Sequence, residues 1–262
     1  MKKKVLFLFL IIISLYFLIE KVISDDDLEN KRPLKPENII TNEVEAKSLK
    51  KIDVASSNIV TPQDLREERA KYPSGIKVLA LHEANLSDQT REKLKKDFDN
   101  LHKYGNFNQN KLGNEFKGIK KYRKNIDKDY PLSFVPTEND FLENNFQLTG
   151  KYASGAFSQE SGFNSYTRLF ENSETKQKVE LTEMYLNPTN HTMIEVFKES
   201  FNKKINGLDL TFQEIPVGNT TVYTVDFANN QKMYSLSTIR VEKREVESLV
   251  FSLIEASKNF EN

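Results

Sequence analysis

The segment Leu208–Ile239, LDLTFQEIPVGNTTVYTVDFANNQKMYSLSTI, decides the fold class. Leu208, Leu210 and Phe212 alternate with Asp209, Thr211 and Gln213, the period-two signature of a strand with one buried face. Pro216-Val217-Gly218-Asn219 has the composition of a turn. Beyond it, Tyr223, Val225 and Phe227 alternate with Thr224 and Asp226, and Asn229-Asn230 turns the chain again into Lys232–Ile239. Strands joined by short polar turns pair antiparallel. The stretch therefore predicts a meander of three strands.

Downstream, Val246, Leu249, Val250, Leu253 and Ile254 recur at i, i+3, i+4, i+7 and i+8, the stripe of a helix laid across a sheet. Upstream, Phe146–Ser158, Phe163–Phe170 and Lys178–Leu186 read as three more strands. Glycines 150, 155 and 162 lie where bulges and turns need them. Thr137 is placed to cap a short helix containing Phe141 and Leu142. Between the two strand sets, Asn187-Pro188 has the form of a helix start. Ile194, Phe197, Phe201 and Ile205 then fall on one face of a helix that Gly207 would close. The order helix, three strands, helix, three strands, helix predicts an α+β domain over residues 129–262, an antiparallel sheet covered by helices.

Residues 61–128 read as a charged helical region. Thr61-Pro62 opens a helix that should run to about Lys71. A short apolar run, Ile76–Leu81, comes next. Ser87 caps a second helix with Leu94, Phe98 and Leu101 on one face and Gly105 as its stop. The chain then turns basic at Lys117, Lys120, Lys121, Arg123 and Lys124, with Phe116, Ile119 and Tyr122 interleaved at helical spacing. Clustered cations create a local potential of several kT, so this is a candidate contact patch for anionic headgroups or an acidic partner. A solvated linker helix would show the same pattern.

Residues 1–24 carry the longest apolar run, VLFLFLIIISLYFLI at Val5–Ile19, preceded by Lys2, Lys3 and Lys4. Lysines before an apolar run hold the N-terminus in the cytoplasm, so the bulk of the chain is expected outside it. As a helix the run is about 22 Å long at roughly 1.5 Å per residue, between a signal-peptide core and a full span. Val22 and Ile23 extend it, and Glu20 and Lys21 can snorkel, which favours an uncleaved single-pass anchor through residues 5–23. Cleavage after Ser24 and release as a soluble periplasmic protein is the alternative. Residues 25–60 lack periodicity and contain Pro33 and Pro36, the composition of a disordered tether.

Composition narrows the partners and the chemistry. Thirty-eight basic residues balance 38 acidic ones, which argues against nucleic acid as a partner. The absence of cysteine removes disulfides, thiol nucleophiles and a lipid-modified cysteine, so an exported domain must rest on its apolar core. His82, His102 and His191 are not at zinc-ligand spacing, and position 86, where a zincin helix starting at His82-Glu83 needs histidine, is Leu86. No nucleophile elbow or phosphate-binding glycine loop is present, so no cofactor is expected. Glu180 and Glu183 fall on opposite faces of one strand, and Glu195 and Glu199 share the expected helix face. The aromatic richness of the strands makes Tyr152, Tyr166 and Tyr185 candidates for a partner- or ligand-binding face. The opposing expectation is that helices cover the aromatics on both sides.

Four features taken in order resemble the small exported α+β proteins of the PsbP/DcrB (Mog1p/PsbP-like) type. They are the strand Val179–Leu186, the helix Thr189–Ile205, the strand pair Leu208–Ile215 and Thr221–Phe227, and the strand-then-helix ending in Leu249–Ile254. The resemblance covers about the last 130 residues by order of elements alone. It implies a non-enzymatic envelope protein that binds or assists a protein partner, and brings no catalytic set with it. The alternative is an envelope hydrolase or small-ligand carrier with a site in the C-terminal sheet.

Overall fold

The computed structural model describes residues 62–107, 126–127, 129–187 and 193–258. The expected anchor, the tether, His191 and the basic cluster at Lys117, Lys120, Lys121, Arg123 and Lys124 lie outside the described residues. Contacts gather Asp64–Asn262 into one compact unit.

Two helices open it, α1 (Pro62–Lys71) and α2 (Asp88–Tyr104), with β1 (Ile76–Leu79) between them. Both helices match the sequence expectation, because the cap chemistry is local. The Ser87 hydroxyl accepts from the Thr90 amide, and Gly105 takes the left-handed conformation (φ 77°) that closes α2. Next come α3 (Asp140–Asn145), β2 (Gln147–Ser158), β3 (Gly162–Glu171), β4 (Lys178–Tyr185) and β5 (Ile194–Phe197). The chain ends with β6 (Lys203–Ile205), β7 (Leu208–Val217), β8 (Thr220–Asn229), β9 (Lys232–Ile239) and α4 (Lys243–Lys258).

Seven strands form one sheet in the order β2-β3-β4-β9-β8-β7-β6, with every neighbouring pair antiparallel. Two meanders, β2-β3-β4 and β7-β8-β9, thus meet where β4 pairs with β9. One face is aliphatic. Phe170, Val179, Leu181, Leu210, Phe212, Val225, Phe227, Tyr234 and Leu236 meet Val246, Leu249, Val250, Leu253 and Ile254 of α4 in the main core. The last helix therefore lies where its stripe predicts.

The helix expected through Ile194, Phe197, Phe201 and Ile205 is not there. Ile194–Phe197 is β5, which pairs in parallel with β1 through Ile76↔Ile194 and Leu79↔Phe197. A single 3-10 turn at Lys198–Ser200 comes next, and then β6. Apolar residues at helical spacing are divided between two cores: Phe197 packs with Leu79, Leu81 and Phe98, whereas Ile205 packs against the main core. Asn202 acts as strand backbone would, its amide oxygen accepting from Phe212 N and its amide nitrogen donating to Phe212 O, both at 2.8 Å. Gly207 does not end a helix. Asn206 and Gly207, at φ 50° and 79°, form the two-residue turn between β6 and β7, an Asn-Gly pair in its favoured hairpin position.

Candidate functional site

Register places the three candidate tyrosines on two different faces. Tyr152 lies opposite Thr167, whereas Tyr166 lies opposite Glu183, one residue out of phase and so on the other side. Tyr166 and Tyr185 are buried with Phe134, beside Tyr130 and Leu132. The cover is a chain segment, not a helix. Leu132 bridges to Phe163, and Phe163 N donates to Pro131 O at 2.9 Å. That approach requires Gly162, since a Cβ there would stand 2.3 Å from the Pro131 carbonyl oxygen. Tyr152, Tyr166 and Tyr185 therefore do not make one binding face.

What holds the segment down is a buried charge cluster that no local sequence pattern signals. Glu183 is fully buried between two cations, with Arg168 Nη2 at 2.7 Å and Lys232 Nζ at 3.5 Å. Thr137 N donates to both Glu183 oxygens, at 3.2 and 2.9 Å. Lys232 also donates to Val135 O (2.7 Å) and Thr137 Oγ1 (3.1 Å), and lies over the Phe134 ring. Thr137 thus serves this cluster, and Asn139 is the residue that caps α3 by accepting from Leu142 N. Burial lowers the pKa of Lys232, and the Glu183 carboxylate opposes that shift. The partners are 15 to 97 residues apart, and only the strand register brings them together.

The opposite face of the sheet carries two polar rows at its centre, beside the buried Leu169, Ile215 and Val222. Tyr152, Thr167, Thr182, Ser235, Asp226 and Thr211 form one continuous row across β2-β3-β4-β9-β8-β7. The adjacent row holds Glu180, Ser237, Thr224 and Gln213. Five strands at about 4.8 Å make the part from β3 to β7 about 19 Å wide. Its groups bond across strands: Thr167 to Thr182 at 2.8 Å, Gln213 to Thr224 at 2.9 Å, and Asp226 to Ser235. Burial raises Asp226 to about 6, with the Ser235 hydroxyl opposing the shift, and raises Glu180 to about 7. Half-buried acids on a hydroxyl-lined floor are therefore partly protonated near neutral pH.

The remaining candidates are ordinary. His82 lies in a turn after β1, and His102 Nε2 is 2.9 Å from Glu199 O. Glu195 pairs with Lys77 at 3.0 Å on neighbouring strands, and Glu199 accepts from Leu81 N, so the two do not share a helix face. An open depression of about 320 Å³ lies between α3 and the end of α4, lined by Glu138, Asp140, Glu255 and Lys258. No described group of acids and histidines has the geometry to hold a metal ion. Among the described residues, no helix is long and apolar enough to cross a membrane.

No family model matches the chain, and no curated protein does. It is similar in part to a protein of Bacteroides thetaiotaomicron whose crystal structure is at 1.50 Å resolution. The likeness is 14% identical over 41% of this chain and 41% of that one, with a TM-score of 0.25. At that level it bears on neither fold nor function.

Proposed function

We propose that this chain is an extracytoplasmic accessory protein, tethered to the membrane through residues 5–23, which binds a protein partner and performs no chemistry of its own. Lys2–Lys4 before the apolar run supports the location. The half-buried centre of the polar face, Thr182, Ser235 and Ser237, is the observation that carries the binding role. A sheet needs only one apolar face to fold. Hydroxyls at the centre of the other face give a strip of donors and acceptors suited to contact with a polar partner surface.

A small-ligand carrier or hydrolase is the second reading, and the acids near neutral pKa on the polar floor favour it. Two experiments separate these readings. A reporter fused after Asn262 should be active only if it works outside the cytoplasm, and cytoplasmic activity would refute the location. Crosslinking in cells should capture a protein partner, and replacing both Thr182 and Ser235 by Arg should abolish that capture while the thermal melt persists. Capture that survives the double replacement would remove the polar face from the binding role. A bound small molecule recovered from the purified protein would favour the carrier.

A further inference from the structure

The two edges of the sheet are built differently. At one, β6 is three residues long and carries Lys203 and Lys204. Beyond β6, the open flank of β7 is closed by the chain after α2: Glu214 N donates to Gly105 O at 2.8 Å, and Asn106 Nδ2 donates to Glu214 O at 3.0 Å. The other edge, β2, is 12 residues long, has no proline, and carries one charged residue, Lys151. Among the described residues no strand pairs with its outer side. Long edges with little charge are what folded proteins usually avoid, because their amide and carbonyl groups accept another strand.

We infer that β2 pairs antiparallel with β2 of a second copy about a two-fold axis, joining the two sheets edge to edge. Register is dictated by the strand itself. Bulges interrupt β2 between Leu148 and Gly150 and between Ser154 and Phe157, which leaves Gly150–Ser154 as the regular stretch. The second bulge is fixed, since Gly155 has φ 81° and Asn164 Oδ1 accepts from Ala156 N at 2.7 Å. A two-fold through Tyr152 uses all five residues, sets Lys151 opposite Ala153, and sets the two Tyr152 rings side by side on the polar face. Moving the axis to Lys151 would oppose two like charges, and moving it to Ala153 would draw the bulge into the ladder. A slip that paired odd with even positions would set residues of opposite faces against each other.

A second copy fits better than a foreign strand because this stretch is its own complement in register and charge. Closure is the other reason. A two-fold contact is closed, since each copy commits its β2 edge to the other, and assembly through this edge stops at a dimer.

The chain has no cysteine, so Tyr152→Cys in the full-length protein provides a single thiol. Opposed strand residues have Cα atoms about 4.5–5.5 Å apart, within disulfide range. Mild oxidation, or a short bis-maleimide, should give a covalent species of twice the 30.4 kDa chain. The yield should exceed that of Val78→Cys, on an exposed strand elsewhere, by roughly tenfold given the geometric demands of a disulfide. Tyr152→Lys, which sets two cations at the axis, should convert the native dimer to a monomer with an unchanged circular dichroism spectrum. Equal crosslinking of the two cysteine variants would overturn the inference, as would a monomeric mass for the unmodified protein or a crosslink from residue 152 to a different protein. Should Tyr152→Lys fail to fold, the cysteine pair decides alone.

Discussion

The two faces of the sheet are cut from the same strands but have opposite chemistry. On one side Leu181, Leu236, Val225 and Phe212 form a register row under α4, each at most 2% exposed. On the other side, one residue along each strand, Thr182, Ser235, Asp226 and Thr211 form a row of hydroxyls with a carboxylate. Strand alternation gives the fold two independent surfaces. The aliphatic one supplies stability through burial; on the other, Leu169, Ile215 and Val222 are buried as well, and only its half-buried centre at Thr182, Ser235 and Ser237 can vary with little effect on the core. Substitutions on the first face should therefore change folding, and those at Thr182, Ser235 and Asp226 of the second should change contact or titration.

The largest effect is expected at Leu253, fully buried on α4. Truncating a core leucine costs about 2–5 kcal/mol, and an unpaired carboxylate adds its desolvation. Leu253→Asp should thus remove most of a domain stability of about 5–15 kcal/mol. Loss of the cooperative melt in circular dichroism checks this. A normally folded Leu253→Asp protein would mean that the stripe on α4 is not the seal of the sheet.

Glu183 tests the exception within the aliphatic face. Its removal leaves Arg168 and Lys232 facing one another without an anion, in a site where Lys232 is 1% exposed. Breaking a buried pair from one side typically costs about 3–5 kcal/mol. Glu183→Ala should show that loss in urea melts and should make the segment from Tyr130 to Thr137 sensitive to proteases, because Thr137 N loses its acceptor. A loss below about 1 kcal/mol would put the cluster in the class of surface pairs.

These two predictions also show what the sequence made legible. Helix α4, the two meanders and the caps at Ser87 and Gly105 follow from local period and turn chemistry, and the structure has them. The stretch from Ile194 to Ile205 misled because Ile194, Phe197, Phe201 and Ile205 imitate helical spacing, whereas Phe197 and Ile205 serve two separate cores. The corrective signal was present in Asn206-Gly207, a hairpin pair that outranks a helix stop when strands surround it. Glu183, Arg168, Lys232 and Thr137 offered no such signal, because they meet only once β3, β4 and β9 are aligned. The tyrosines were visible as residues, but a β2–β3 register read from sequence would have been needed to separate Tyr152 from Tyr166.

The polar face should reveal itself by pH. Asp226 and Glu180 have native pKa values raised to about 6 and about 7, against ordinary carboxyl values near 4 in the unfolded chain. Between about pH 4 and 7 the native state therefore holds protons that the unfolded chain has released, so stability falls as pH rises through this window and levels off above it. Both groups keep some access to solvent, which limits the change to about 1–2 kcal/mol for each. The double variant Asp226→Asn, Glu180→Gln should flatten the slope and be the more stable protein above pH 7. Urea melts at pH 5 and pH 8 check the sign. A wild-type protein that gains stability over this range through these two groups would refute their burial.

The smallest effect is expected at Glu247, on the outer surface of α4. Its carboxylate pairs with Lys203 of β6, and both side chains remain partly open to water, at 35% and 27% exposure. Pairs of this kind contribute about 0–1 kcal/mol. Lys203 keeps a second interaction when Glu247 is lost, since its ammonium stands 4.4 Å from the centre of the Phe212 ring. The aliphatic stem of Lys203 can stay where it is, so no cavity opens and no buried charge is stranded. Glu247→Ala should therefore shift the melting midpoint by no more than about 1 kcal/mol equivalent, with the remaining shift suppressed by salt as screening weakens exposed pairs. A loss of about 3 kcal/mol or more, on the scale expected of Glu183→Ala, would mean that β6 is held to the sheet by this ion pair and not by its ladder with β7.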